Sequence, residues 1–345
     1  HLSRPHPLGY KLKWGPVVSA TLECHERSAE VEIGWIINRW AMLACLMVTV
    51  SGCGAGGDGQ QGQAELTWGR RGISEGRLQK PRAITIDRSD QLYIVDMTGR
   101  IQVFSPDGEF VRSWRTPAIE NGKPCGLAID RQGNLLVADT HYFRVLFYTP
   151  DGKLQQEKTI GGAAGHAPGE FNFVTEVVQD SQGHYYISEY GEYDRIQKFT
   201  EDGQFVMQWG SHGMEPGQFA RPQGLAIDDN DHIWVADACN HRIQVFDASG
   251  AEAKLVKIWG KQGSEPGQLS YPYGLVLDGR GHIYISEFGN HRVQKLTLDG
   301  KTLASWGRAG RQEGELSRPW GLVLDSQDRI HALDTYNHRV QRLRL

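Results

Sequence analysis

From Ala64 onward the apolar residues come in runs of four or five, such as "GLAID", "IWVAD", "IQVF" and then "KIWG", each cut off by Asp, Gly or Asn. Runs this short, rich in β-branched residues and bounded by turn formers, predict strands rather than helices. The pattern itself recurs. "RPQGLAIDDNDHIWVADACNHRIQVFDASG" (Arg221 to Gly250) returns as "YPYGLVLDGRGHIYISEFGNHRVQKLTLDG" (Tyr271 to Gly300) and as "RPWGLVLDSQDRIHALDTYNHRVQRLRL" (Arg318 to Leu345), with weaker copies from Lys80, Lys123 and Phe173. Six copies, each predicting four strands, span the chain from Ala64 to its end.

Three polar marks keep step with the apolar runs. An acid closes the first strand of each copy (Asp87, Asp130, Asp180, Asp228, Asp278, Asp325), and nine residues later a second closes the next (Asp96, Asp139, Glu189, Asp237, Glu287, Asp334). An arginine then follows in every copy: Arg100, Arg144, Arg195, Arg242, Arg292 and Arg339. A four-stranded unit cannot bury both of its faces, so the copies must stack on one another, and radial stacking gives an all-β, six-bladed propeller. A β-sandwich has no reason to repeat its sequence six times. The sixth copy stops after its third strand at Leu345, while "AELTWG" (Ala64 to Gly69) is an orphan fourth strand resembling "VMQWG" and "VKIWG". The N-terminal strand is therefore expected to complete the last blade and close the ring, leaving no open sheet edge.

Composition adds little to this and charge adds less. Glycine, 42 of 345 residues, stands at about 12% against a usual ~7%, as many tight turns require. A formal net charge of −4 gives no general attraction to nucleic acid or anionic membrane.

The chain upstream of residue 64 has a different character. Residues 1–38 show no period and are set aside as a segment outside the fold. Residues 39–53 read as a lipoprotein-type signal peptide: Arg39, an apolar run from Trp40 to Val50 too short to cross a bilayer, and Val50-Ser51-Gly52-Cys53, which resembles a lipobox with Cys53 as the lipidated residue. Residues 54–63, "GAGGDGQQGQ", have the composition of a flexible tether. These features predict a domain lipid-anchored to a membrane of the cell envelope and facing the periplasm or exterior. Cys125 and Cys239 sit at different repeat positions, so no disulfide between them is expected.

Asn240-His241-Arg242, Asn290-His291-Arg292 and Asn337-His338-Arg339 stand where the NHL repeat family has its naming motif, and residues 64–345 resemble that family. Thr98-Gly99-Arg100, Tyr142-Phe143-Arg144 and Tyr193-Asp194-Arg195 depart from it in the first three copies. The resemblance implies a six-bladed propeller in which the loop between second and third strands and the connector into each blade share one face. "DACNHR" (Asp237 to Arg242) places an acid, a thiol and an imidazole together, but its acid and arginine recur in every blade, which makes it architecture. The three histidines lie on separate blades, some 10 Å apart, too far for one zinc ion with ligands at about 2.0–2.1 Å.

Function is then sought where the copies diverge. The position after the proline of each first strand holds Arg82, Cys125, Thr175, Gln223, Tyr273 and Trp320, with Glu176 the one carboxylate beside them. A peptide-amidating lyase within the family carries zinc histidines at this position, and this chain has none there. One carboxylate does not hold calcium, which takes six to eight oxygens, as a lactonase-like propeller would need. No catalytic residue, metal ligand or cofactor is expected. The ring predicts an aromatic and basic side (Tyr273, Trp320, Arg82) facing an acidic one (Glu176 and the loop Tyr190 to Arg195), a mouth suited to a protein, peptide or glycan. The alternative is a metal-dependent propeller enzyme of the amidating-lyase or lactonase kind. RNA binding is disfavoured, because an exported domain rarely meets RNA.

Overall fold

The computed structural model describes residues 64–345. The signal segment, Cys53 and the Gly-rich tether lie outside the described residues. Within them the chain forms six four-stranded sheets, each with its strands in sequence order except the last. Blade 1 consists of Pro81–Ile86, Leu92–Asp96, Arg100–Phe104 and Phe110–Arg115. Blade 2 is Gly126–Ile129, Leu135–Asp139, Arg144–Tyr148 and the two-residue Ile160–Gly161; blade 3 is Phe173–Gln179, Tyr185–Tyr190, Arg195–Phe199 and Phe205–Trp209. Blade 4 is Pro222–Ile227, Ile233–Asp237, Arg242–Asp247 and Lys254–Trp259; blade 5 is Pro272–Leu277, His282–Glu287, Arg292–Thr297 and Thr302–Trp306. Blade 6 takes Leu322–Leu324, Ile330–Asp334 and Arg339–Leu343 from the C-terminus and Leu66–Trp68 from the N-terminal side. The closing strand is antiparallel, with Leu66 opposite Arg342, Thr67 opposite Gln341 and Trp68 opposite Val340.

The first strands touch one another in turn around the ring, blade 6 back to blade 1 included, and so surround the central channel. The hydrophobic core is six layers, one in each seam. Tyr93 and Val95 of blade 1 mix with Leu127 and Leu135 of blade 2, for example, and Trp68 and Val323 of blade 6 mix with Ile84 and Ile94 of blade 1. This is why one repeat could not fold by itself: half of each apolar layer belongs to the next blade. At the rim the fourth-strand tryptophans span the seams, Trp68 against Phe104 (ring centroids 4.8 Å apart), Trp114 against Tyr148 (5.9 Å) and Trp209 against Phe246 (5.7 Å).

The periodic acids have two separate jobs. Those ending the first strands cap the hairpin turn: Asp228 Oδ1 accepts the N–H groups of Asn230 (2.9 Å) and His232 (3.0 Å), and the other five do the same. Those ending the second strands are fully buried and meet the periodic arginine in every blade, at 3.1 Å (Asp96–Arg100), 2.9 Å (Asp139–Arg144), 2.6 Å (Glu189–Arg195), 2.7 Å (Asp237–Arg242), 2.5 Å (Glu287–Arg292) and 2.6 Å (Asp334–Arg339). The arginine also binds the connector. Arg242 donates to the carbonyls of Met214, Glu215 and Gln218, and Gln244 beside it donates to Gln218 O and Asp237 Oδ2. In blade 4 the pair therefore ties the loop between second and third strands to the segment that leads into the same blade.

The histidines of the repeated Asn-His-Arg join neighbouring blades. His241 Nδ1 accepts the N–H of Tyr271 (3.1 Å), His291 Nδ1 that of Arg318 (3.1 Å), and His338 Nδ1 that of Lys80 (3.0 Å), stapling blades 4 to 5, 5 to 6 and 6 to 1. In blade 3 Asp194 stands at the same place and its carboxylate accepts the N–H of Arg221. These imidazoles are thus spent on backbone. No disulfide joins the buried Cys125 to Cys239.

Candidate functional site

The first strand of a blade does not run straight into the sheet. The register slips once near its start, between Pro81 and Ala83, Val174 and Glu176, Pro222 and Gly224, and Pro272 and Gly274. The skipped residue is Arg82, Thr175, Gln223 or Tyr273, the same post-proline position at which the copies diverge. A bulge re-aims the side chain it carries, and here it turns the variable residue toward the axis. Glycine follows in several blades because the next blade comes so close: a Cβ on Gly224 would lie 2.3 Å from Tyr273 O, and one on Gly126 2.2 Å from Thr175 O.

Six of the seven residues expected at the mouth line one central cavity of about 260 Å³: Arg82, Cys125, Glu176, Gln223, Tyr273 and Trp320. Thr175 does not. It is fully buried, with its hydroxyl bonded to Pro222 O (2.7 Å), Ser188 O (3.2 Å) and Ser188 Oγ (2.7 Å), so it braces the seam between blades 3 and 4. Cys125 is also buried, its sulfur accepting from Thr140 Oγ1 (3.0 Å), and burial pushes its thiol above the ordinary range. Beneath the mouth the cavity walls are apolar, formed by Ile84, Leu127, Leu225, Leu275 and Val323.

The aromatic side is larger than the variable ring suggested. Tyr273 stacks on Phe288 (4.6 Å, 23°), Trp320 meets both edge-on (5.0 and 5.8 Å), and Phe288 reaches Tyr336 (6.4 Å). Four cations lie on these rings: Arg82 over Trp320 (5.3 Å), Arg221 between Tyr190 (4.7 Å) and Tyr273 (5.4 Å), Arg318 over Phe288 (5.3 Å) and Tyr336 (5.2 Å), and Lys80 over Tyr336 (4.7 Å). Arg221 and Arg318 escaped the sequence reading. Arg221, Arg318 and Lys80 each stand immediately before the proline, two residues ahead of the ring position. They also share a left-handed backbone (φ 60°, 52° and 48°) that no pattern of apolar residues reveals.

The acidic side is weaker than expected. Asp194 is buried, held by His212 Nδ1 (2.5 Å) and the N–H of Gly191 (3.3 Å), and Tyr193 lies against His166 (4.0 Å). Glu176 leans into the space that Gly126 leaves by having no side chain. Burial raises its carboxyl well above the ordinary carboxylate range, against a smaller opposing effect of the Val177 N–H on Oε1 (3.1 Å). The mouth is thus aromatic and cationic, with one carboxyl whose pKa burial raises well above the ordinary range. A group whose pKa is raised on folding stabilises the fold at low pH and loses that contribution as pH rises above its unfolded value. Glu176→Gln is therefore expected to raise the melting temperature by on the order of 3 °C at pH 8 and to leave it unchanged near pH 4. Scanning calorimetry at the two pH values checks this, and a fall at pH 8 would show the carboxylate to be charged and paired instead.

The residues present do not fit the metals that the resemblance implies. Arg82, Cys125, Thr175, Gln223, Tyr273 and Trp320 offer no histidine for zinc, and Glu176 is the sole carboxylate lining the cavity. Among the described residues no group of three or more His, Cys, Asp or Glu gathers where an ion could sit.

Comparison with known proteins agrees with this geometry at the level of fold. The family described as NHL repeat matches residues 219–246, 269–296 and 316–343, each running from the connector to the third strand of blades 4, 5 and 6. Peptidyl-glycine alpha-amidating monooxygenase A of Xenopus laevis is 36% identical over 143 residues, 39% of this chain and 15% of that protein. NHL repeat-containing protein 3 of Homo sapiens is 26% identical over 192 residues, 49% of this chain and 52% of that protein. The chain thus spans about half or less of the length of these relatives. Among solved structures, a streptogramin B lyase superposes with a TM-score of 0.56 at 14% identity, covering 79% of this chain and 95% of that one, a likeness of fold alone.

Proposed function

This chain is a six-bladed β-propeller carrying NHL repeats, and from that premise we propose that it is a non-enzymatic binding scaffold of the cell envelope. Its mouth recognises a protein, peptide or glycan, and Cys53 anchors it to the membrane through lipid. The observation that carries the reading is the mouth itself: four cationic head groups lie over aromatic rings, and none of the four pairs with a carboxylate among the described residues. Aromatic residues and arginine are the side chains that anchor most binding hot spots. Stacked guanidinium groups keep their N–H edges available to a ligand. The anchor is supported by the lipobox-like Val50-Ser51-Gly52-Cys53 and the Gly-rich stretch after it. No helix among the described residues is long and apolar enough to cross a membrane.

The test is binding to arrayed envelope peptides and glycans by the wild-type protein, Trp320→Ala and Arg82→Glu, with melting temperatures to confirm folding. Both variants are expected to lose at least tenfold in binding while keeping the fold. Retention of every ligand by both would remove the mouth from the reading. Elemental mass spectrometry on the same wild-type sample addresses the enzyme alternative, because stoichiometric zinc or calcium would put a metal-dependent propeller enzyme first.

A further inference from the structure

The binding reading leaves open what chemistry the mouth selects. We propose that the channel takes a small amphipathic carboxylate, its head held by Arg82 and Arg221 and its apolar part in the shaft below; this rests on the reading of the mouth as a binding site and goes beyond the protein, peptide or glycan named there.

Arg82 belongs to blade 1 and Arg221 precedes blade 4, so they approach the axis from opposite sides of the ring. Arg82 lies over Trp320 and Arg221 over Tyr273, and these two rings meet edge-on at 5.0 Å in the cavity wall, so the two guanidinium groups flank one aromatic pair. Their faces are closed. Trp320 covers Arg82, and Tyr190 and Tyr273 enclose Arg221. What a stacked guanidinium keeps open is its plane, where pairs of N–H groups match the two oxygens of a carboxylate. Of those donors the structure uses only Arg221 Nε, bonded to Gln223 Oε1 at 3.0 Å.

A partly buried cation without a counter-ion is costly, and an arriving anion relieves that cost. Glu176 does not serve as the counter-ion. Burial raises its carboxyl well above the ordinary carboxylate range, which weakens the charge it would set against an incoming anion. Below the arginines the lining turns apolar, at Ile84, Leu127, Leu225, Leu275 and Val323. An inorganic anion gains nothing from such walls, whereas each buried CH2 of an organic acid gains about 0.8 kcal/mol. The size is also restrictive. A cavity of about 260 Å³ holds the volume of about nine waters at ~30 Å³ each and falls below the ~300 Å³ at which pockets for drug-sized ligands begin. A short hydrocarbon acid fits, and the middle of a polymer does not.

The experiment is isothermal titration of the full chain with hexanoate, with acetate, hexanol, hexylamine and inorganic phosphate as comparisons. Hexanoate is expected to bind one-to-one and at least tenfold more tightly than any of the four, and Arg221→Gln to weaken it at least tenfold. Arg82→Gln serves as a second variant should Arg221→Gln fail to fold, with the same loss expected. No saturable binding of hexanoate, or hexanol or phosphate binding as tightly, overturns the proposal. If hexanoate fails while array ligands still depend on Trp320, the scaffold stands without this specificity; if both fail, the mouth is no binding site.

Discussion

Asp237→Ala is expected to cost about 3–5 kcal/mol of stability, the usual price of stripping one partner from a buried ion pair, and to lower the melting temperature by about 10 °C. Asp237 is fully buried and accepts four donors: Ala220 N (2.7 Å), Asn240 Nδ2 (2.9 Å), Arg242 Nε (2.7 Å) and Gln244 Nε2 (3.1 Å). Removing the carboxylate takes an acceptor from each of the four, breaks its own link to Ala220 of the connector and leaves Arg242 without its counter-ion. Blade 2 supplies an internal control. Asp139 is equally buried, but Arg144 Nε at 2.9 Å is its one hydrogen-bond donor, and Oδ1 has no partner. The glutamine of the other blades is Leu146 here, and the connector "RTPAIENGKP" lacks the Gly-rich form seen before blades 3 to 6. Asp139→Ala is therefore expected to cost no more than about 2 kcal/mol. Urea unfolding of the two variants decides the matter, and equal losses would show that the network around Asp237 contributes nothing beyond the ion pair.

Removing residues 64–68 is expected to be more damaging still. Those residues supply the outer strand of blade 6, and without them the whole edge of Arg339–Leu343 is open to other chains. The deletion also removes Trp68 from its contacts with Phe104 and from the seam between blades 6 and 1. It removes Glu65 as well, which pairs with Arg344 at 2.9 Å. The shortened protein is expected to aggregate on expression. Trp68→Ala, which keeps the strand but empties the seam, is expected to remain monomeric and to lose about 3–5 kcal/mol. Size-exclusion chromatography with calorimetry separates the two effects. A monomeric shortened protein that melts within a few degrees of wild type would mean that the three remaining strands of blade 6 and the staple between His338 and Lys80 hold the ring closed without help.

Most of the architecture could be read from the sequence because a propeller repeats its requirements. Every blade needs the same four short strands, the same capped turn and the same buried acid and arginine, so each requirement is written six times and chance does not imitate it. The departures were readable for the same reason. Blade 2 lacks the glutamine and the connector of its neighbours, and its outer strand has shrunk to Ile160–Gly161. The three matches to the NHL repeat fall on the blades with Asn-His-Arg because the other three keep the ion pair but replace the histidine with Gly99, Phe143 and Asp194.

The mouth was only half legible. Reading the residue after each proline found Arg82, Gln223, Tyr273 and Trp320, the first three of them carried on a bulge, and all four line the cavity. It misjudged Thr175, whose hydroxyl is short enough to turn back and bond Pro222 O across the seam. It did not find Phe288 or Tyr336, which come from the loops between second and third strands, or Arg221 and Arg318, which come from the connectors. Phe288 and Tyr336 lie far from the ring in sequence, whereas Arg221 and Arg318 stand only two residues before it, on the other side of the proline.

What the sequence alone determined, then, is the count of blades, the strands in each, the closing strand and the ion pairs, all of which follow from local pattern and its repetition. What only the tertiary structure decided is the character of the channel. The charge of a carboxyl depends on how much water its neighbours exclude, and the reach of an arginine depends on which rings lie beneath it. Both are set by residues on different blades that meet only when the ring has closed.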